Sequence, residues 1–160
     1  MKNKPVIVGI GELLWDMLPS GKKAGGAPVN FVYHASLLGA ESYAISAIGK
    51  DALGDEILQE LDKIKLSYFI ERVDYPTGTV LVQLKEGIPN YTIIENVAWD
   101  YIPATDEVKQ LARRTDAICF GTLAQRSVVS RSTIHEILSL VPQSAYRILD
   151  INIRQHFYSK

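Results

Sequence analysis

Cysteine is almost absent: Cys119 is the single one in 160 residues. One cysteine cannot form an internal disulfide, and its place in the apolar run AICFG marks a small core residue. No apolar run is long enough to span a bilayer. The start, MKNKPVIVGIGE, has only a short apolar run with Gly9 and Gly11 inside it, so no signal peptide is expected and a cytoplasmic location is. An excess of either charge is also missing. Lys and Arg number 17 and Asp and Glu 18, a net charge of -1, which gives no electrostatic case for nucleic acid or an anionic membrane. His34, His135 and His156 share no metal-ligand spacing, and no metal site is expected in the chain. Internal repeats and low-complexity tracts are lacking too. What remains is 47% hydrophobic and 22% charged residues, the balance of a globular protein of about one domain.

The apolar runs alternate in period. VIVGIG (Val6 to Gly11), SYAISAIG (Ser42 to Gly49), AICFG (Ala117 to Gly121) and RILDIN (Arg147 to Asn152) are short, rich in β-branched residues and read as buried strands. Helical patterns separate them, over Pro28 to Leu38, Gly54 to Ile64, Asp106 to Arg114 and Val129 to Leu140. Strand–helix alternation predicts an α/β fold with a parallel sheet and helices on its faces. Tyr68 to Trp99 breaks the alternation. TGTVLVQL and NYTIIEN, joined by the turn-like KEGIPN, predict an antiparallel β excursion. Such a sheet serves as a lid, a dimer interface or both.

Several polar residues follow the strand ends. GIGELL starts like the dinucleotide fingerprint G-x-G-x-x-G, but Leu14 holds the third glycine position and Pro19-Ser20-Gly21 stands where a helix is needed. Gly9, Gly11 and Glu12 thus gain no nucleotide role. Asp16 can accept hydrogen bonds from two neighbouring hydroxyls, as a sugar supplies, or it is a solvated loop residue. Gly25 and Gly26 leave room for a close approach to the backbone. Asn30, about a turn later, carries a donor and an acceptor, or caps the helix. Gly49, Asp51 and Gly54 read as a strand-to-helix loop with Asp51 near the cap. In DINIR, Asp150, Asn152 and Arg154 are spaced by two and project to one face of a strand. Arg154 binds phosphate oxygens or substrate through its planar fork, or pairs with Asp150. Gln125 and Arg126 follow AICFG at a position suited to substrate contact.

GGAPVNFVYHASLLG followed by SAIGKDALGDEIL resembles the N-terminal signature of the ribokinase-like sugar kinases, the carbohydrate kinase group named for a minor phosphofructokinase. GELLWDMLP, ERVDYPTGTV, AWD, FGTLAQR and DINIRQHFY are similar to the bacterial fructokinase branch. The resemblance covers essentially the whole chain. It implies a three-layer α/β core with a small β lid over about residues 68–99, joined by residues around Leu13 to Lys23. It also implies phosphorylation of a sugar hydroxyl by ATP with Mg2+, fructose being the expected sugar. Asp16, Gly26 and Asn30 would contact sugar hydroxyls, with Gly25 beside them, and Trp99 is either an apolar wall for the sugar or lid packing. Thr122-Leu123-Ala124-Gln125 stands where the ribose branch has a glutamate, which argues against ribose. ERVDYPTGTV and AWD argue against a nucleoside kinase, the third alternative.

The family also implies a chain nearly twice as long, whose second half carries a GAGD-type motif with the anion hole and the general-base Asp. No Gly-x-Gly-Asp occurs in these 160 residues. The expectation is therefore the N-terminal part of a sugar kinase domain, with no catalytic base of its own. The alternative is a catalytically silent sugar-binding or dimerising fragment.

Overall fold

The structure, a computed structural model, describes residues 4–85 and 88–157; the side chains of 82–90 lie outside that description. Five strands form the main sheet: β1 (Val6–Ile10), β4 (Glu41–Gly49), β5 (Ser67–Val73), β8 (Ala117–Gly121) and β9 (Tyr146–Asp150). All pair in parallel, in the order β5-β4-β1-β8-β9. The order turns back at β1: the chain runs outward through β4 and β5, then returns to the other side of β1 as β8. Open α/β sheets bind ligands at the carboxyl ends of strands at such a reversal.

Side-chain alternation sorts the core into two layers. Val6, Val8 and Ile10 of β1 pack with Ile45, Ile118 and the buried residues of α3 (Asp106–Ala112) and α4 (Val128–Leu140). On the other face, Ala44 and Ile48 pack with Val29 and Val32 of α1 (Ala27–Leu37) and with Ile57 and Leu61 of α2 (Ala52–Lys63). The expected three-layer α/β core is thus present, with the expected helices shifted by at most a few residues at their ends.

A second sheet has the order β3-β2-β6-β7, built from β2 (Leu14–Leu18), β3 (Gly21–Gly25), β6 (Gly78–Lys85) and β7 (Ile88–Ile93). It corrects the expected excursion in two ways. Tyr68 to Val73 is not in it: that stretch is β5, paired in parallel with β4 on the edge of the main sheet. The sheet is mixed, since β2 runs parallel to β6 although β2–β3 and β6–β7 are antiparallel. An edge strand and a lid strand look alike locally, and only their distant partners distinguish them. The centre of KEGIPN, residues 86 and 87, lies outside the described residues.

Trp99, at the end of the expected lid range, is in the short 3-10 helix Ala98–Tyr101 and is 0% exposed. Its ring fills the space that a side chain at Gly78 would need: a Cβ there would lie 2.5 Å from the indole. The tryptophan thus joins the second sheet to the main core. Among the described residues, no helix is long and apolar enough to cross a membrane.

Candidate functional site

A cleft of about 360 Å³ opens where the two sheets meet, at the carboxyl ends of the main strands. Glu12 enters it from the segment after β1. Leu14 and Asp16 face it from alternate positions of β2, and Gly26, Ala27 and Asn30 from the start of α1. Val80, Tyr91 and Ile93 close the second-sheet side; Leu123, Asn152 and Arg154 come from segments after β8 and β9. Apolar side chains and several polar groups line it together, as in small-molecule sites.

Gly26 is the N-cap of α1, with φ 131. A Cβ there would lie 2.1 Å from the Glu12 carbonyl oxygen. The bare corner is therefore needed for the chain's own backbone as well as being a lining element of the cleft. Asn30 is not the cap; its N–H donates to the Gly26 carbonyl at 2.9 Å, which leaves the side chain exposed toward the cleft. Partial burial raises the Asp16 carboxyl above the usual aspartate range, and Lys23 opposes that shift.

Glu12 has the most unusual environment. It is only 2% exposed. Oε1 accepts the Ala27 N–H at 3.3 Å, while Oε2 has no hydrogen-bond partner. Burial pushes its carboxyl up to about 7; its own N–H and that of Ala27 act downward, the Asp150 charge upward and Arg126 downward.

Strand β9 ends at Asp150 and residues 151–154 have no regular structure, so Asn152 and Arg154 do not share a strand face with Asp150 as expected. Arg154 Nε donates to Asn152 Oδ1 at 2.6 Å, and both residues line the cleft. Among the described residues no Asp150–Arg154 ion pair forms, so the guanidinium is exposed at the cleft mouth.

Other expected contacts lie elsewhere. Gly25 lines a neighbouring depression that shares Asp16 and Asn30. Gln125 Nε2 donates to the Gly121 carbonyl at 2.9 Å, and its oxygen lies 3.3 Å from His135 Nε2. Arg126 is locked in a buried pair: Nε and Nη2 each reach the Asp100 carboxylate at 2.9 Å, and Nη2 also donates to the Ile94 carbonyl. Its guanidinium stacks 3.9 Å from the Trp99 ring. Gln125, Arg126 and Trp99 do not line the cleft. Asp51 is the N-cap of α2, as its place in the loop suggested.

Residues 20–160 match the profile of the pfkB family carbohydrate kinases. The chain belongs to that family. An uncharacterized sugar kinase of Pyrococcus horikoshii is 28% identical over 162 aligned positions, covering 93% of this chain and 52% of that protein. An ATP-dependent 6-phosphofructokinase of Thermoanaerobacterium thermosaccharolyticum is 30% identical over 145 positions, 82% of this chain and 44% of that protein. The solved structure of the Pyrococcus kinase superposes with a TM-score of 0.83, over 93% of this chain and 53% of the other. A fructokinase of Xylella fastidiosa with bound ATP gives 0.83 at 19% identity, over 98% of this chain and 55% of that one, and shows the shared fold. The chain of this pfkB-family member thus spans about half the length of the curated relatives it matches.

Neither motif nor spacing assigns a role to Glu12, or pairs Asp100 with Arg126. A signal for Glu12 does exist: a lone carboxylate between Gly11 and the apolar Leu13-Leu14. For Asp100 and Arg126, nothing local announces a pairing across 26 residues.

Proposed function

We propose that the protein carrying this chain transfers a phosphoryl group from ATP to a sugar hydroxyl, with fructose the first substrate to test. This chain supplies the sugar side. The observation that carries the reading is the convergence of Asp16, Gly26, Asn30 and Arg154 on one cleft at the reversal of the parallel sheet. In the reading, the Asp16 carboxylate accepts hydrogen bonds from two adjacent sugar hydroxyls. Asn30 donates and accepts beside it, and Tyr91 and Ile93 pack on the carbon skeleton. The sheet that bears β2 and β6 covers the sugar as a lid. Its exposed Leu18 and Tyr91 offer a surface on which two copies can pair.

Use of ATP is supported by relatives solved with that nucleotide, the Pyrococcus kinase among them at 26% identity. Mg2+ supplies charge neutralisation in phosphoryl transfer. Among the described residues no group of three His, Cys, Asp or Glu could hold a metal ion. Arg154 and Asn152 are the groups of this chain placed to meet phosphate oxygens, and the general base belongs to a Gly-x-Gly-Asp segment that these 160 residues lack. A second reading is a sugar-binding or pairing module without catalysis.

The test is ADP release from ATP and Mg2+ with fructose and a panel of other sugars, on the whole protein. Asp16→Ala should raise the sugar KM roughly ten- to a hundredfold, the loss of a hydrogen bond to a charged group, and leave the ATP KM unchanged. Unchanged sugar kinetics would remove Asp16 from the site. Turnover only with another sugar would replace fructose.

A further inference from the structure

Among the described residues, Glu12 is the carboxylate of the cleft that is nearly fully enclosed, and half of it is unsatisfied. Oε1 is held by the Ala27 N–H at the start of α1, whereas Oε2 has no partner. Buried acceptors in folded proteins are nearly always paired, so an orphan on a residue that lines a cleft calls for a donor. Its neighbours do not supply one. Gly121, the nearest residue of β8, has no side chain; a Cβ there would lie 3.8 Å from Oε2. Leu13 and Leu14 on the following segment are apolar and buried. Asp16 and Asn30 line the same cleft.

We propose that Glu12 is a further sugar-binding residue, whose Oε2 accepts a hydrogen bond from a hydroxyl of the sugar held by Asp16 and Asn30. This role rests on the sugar-site reading above and extends it to a residue buried beneath the cleft. Its chemistry is selective. An ionised carboxylate only accepts, so the position favours a hydroxyl and disfavours an ether, a deoxy carbon or an anionic group.

The interaction has a proton signature. A hydroxyl that donates to Oε2 stabilises the ionised form, which burial otherwise disfavours. Sugar binding should then lower the affinity of Glu12 for its proton, release up to one proton near pH 7, and tighten as pH rises from 6 to 8. Other titratable and charged groups near Glu12 are Asp150 at the end of β9, Cys119 on β8, Arg126 after β8, Asp16 on β2 and Arg154 at the mouth. Burial holds the Cys119 thiol up at about 11, with Asp150 and Glu12 adding to the shift, so it stays neutral across this range. Asp16 is also shifted upward, so the source of the proton has to be separated by substitution.

The experiment is calorimetric titration of the whole protein that carries this chain with fructose and a panel of neutral sugars, at pH 6, 7 and 8. Two buffers of different ionisation enthalpy count the protons released. The expected result is binding about tenfold tighter at pH 8 than at pH 6, with proton release near pH 7. In Glu12→Gln both effects should vanish, and affinity at pH 8 should fall about tenfold, the scale of one charge-assisted bond. The amide keeps an oxygen for Ala27, and a thermal melt checks that the variant is folded. Binding that is lost in Asp16→Asn but has no pH dependence in the unsubstituted chain overturns the role of Glu12 and leaves the sugar site standing. Proton release that persists in Glu12→Gln assigns the proton to another group and likewise overturns it. No binding of any sugar at any pH overturns the sugar-site reading, and the role of Glu12 with it.

Discussion

An ionised Glu12 is destabilising where it sits. Its carboxyl in the folded chain titrates at about 7 against an ordinary 4.5. The folded state therefore holds a proton that the unfolded chain has released, and stability falls as pH rises between those two values. Above pH 7 the accumulated loss is about 3 kcal/mol, since each pH unit between the two values costs about 1.4 kcal/mol. Glu12→Gln keeps the size and the acceptor for Ala27 but cannot ionise. It should be more stable than the unsubstituted chain at pH 8, by up to that amount, and nearly equal below pH 4.5. Urea denaturation at a series of pH values reads this directly; parallel curves for the two proteins would show that Glu12 is not buried. A residue that lowers stability at neutral pH and faces a cleft has the profile of a functional group.

Two side-chain ties hold the elements that frame the cleft. At the start of α2, Asp51 accepts from the Gly54 N–H at 2.8 Å, from the Thr77 hydroxyl at 2.6 Å and from the Thr77 N–H at 2.8 Å. The Thr77 hydroxyl in turn accepts from the Gly49 N–H at 2.9 Å. The end of β4, the start of α2 and the approach to β6 are thus one unit. Burial acts upward on the Asp51 carboxyl, but the bonds from Thr77 and Gly54 outweigh it and the net shift is downward. The contribution is therefore present above the usual aspartate range and is lost as pH falls through the lowered value. Thr77→Val should cost about 2 kcal/mol, from two lost bonds and buried groups left unpaired, and should flatten the acid limb of the stability curve.

The second tie is Asp100 with Arg126, both side chains only 6% exposed. It links the 3-10 helix under the second sheet to the segment after β8, with Ser127 and Ser130 adding bonds to the Asp100 and Trp99 carbonyls. Arg126→Ala strands a buried carboxylate and should cost roughly 3–5 kcal/mol in chemical denaturation. Replacing both partners by apolar residues, Asp100→Leu with Arg126→Met, should cost less than the single change. If the single variant is as stable as the unsubstituted chain, the pair is not buried.

Apolar exposure is uneven across the molecule. Strand β9 is an unpaired edge of a parallel sheet, and such sheets are normally covered on both faces. Tyr146 is 77% exposed and Leu149 47%, on opposite faces of β9, and Ile151 66% and Ile153 64% beyond it, so apolar side chains stand open along and after the strand. The 160-residue chain alone should therefore associate with concentration, which sedimentation velocity will show. Ile151→Lys with Ile153→Lys should shift it toward monomer; an unsubstituted chain that stays monomeric at all concentrations would contradict this exposure. No Gly-x-Gly-Asp segment occurs in these 160 residues. Losing one oxyanion-type donor costs roughly 2.7–4 kcal/mol, a hundred- to a thousandfold in rate, and an anion hole with its base comprises several such groups. The chain by itself should show no sugar phosphorylation above background, measured as ADP release.

The elements of the core could be read from the chain because each carries its period locally. β1, β4 and β8 are apolar runs that fit where both faces are covered, and α1, α2 and α4 show their buried stripe at helical spacing; β9 carries the same kind of run and was expected buried, but none of its residues is. The nearness of Asp16, Gly26 and Asn30 also follows from local order, since Asp16 lies in the first of two short strands directly after β1 and Gly26 and Asn30 follow the second; that Asp16 sits in a strand and not in a loop was not legible. What the amino-acid order could not decide is partnership between distant segments. Whether 67–73 joined the main sheet or the second one depended on β4, and the parallel pairing of β2 with β6 joins segments far apart in the chain. The burial of Trp99 against Gly78, the Arg126 pair with Asp100, and the unpaired Oε2 of Glu12 were likewise decided by packing. Hydrogen bonds and desolvation act through space, and a side chain's charge cost is set by neighbours that the linear sequence does not place beside it.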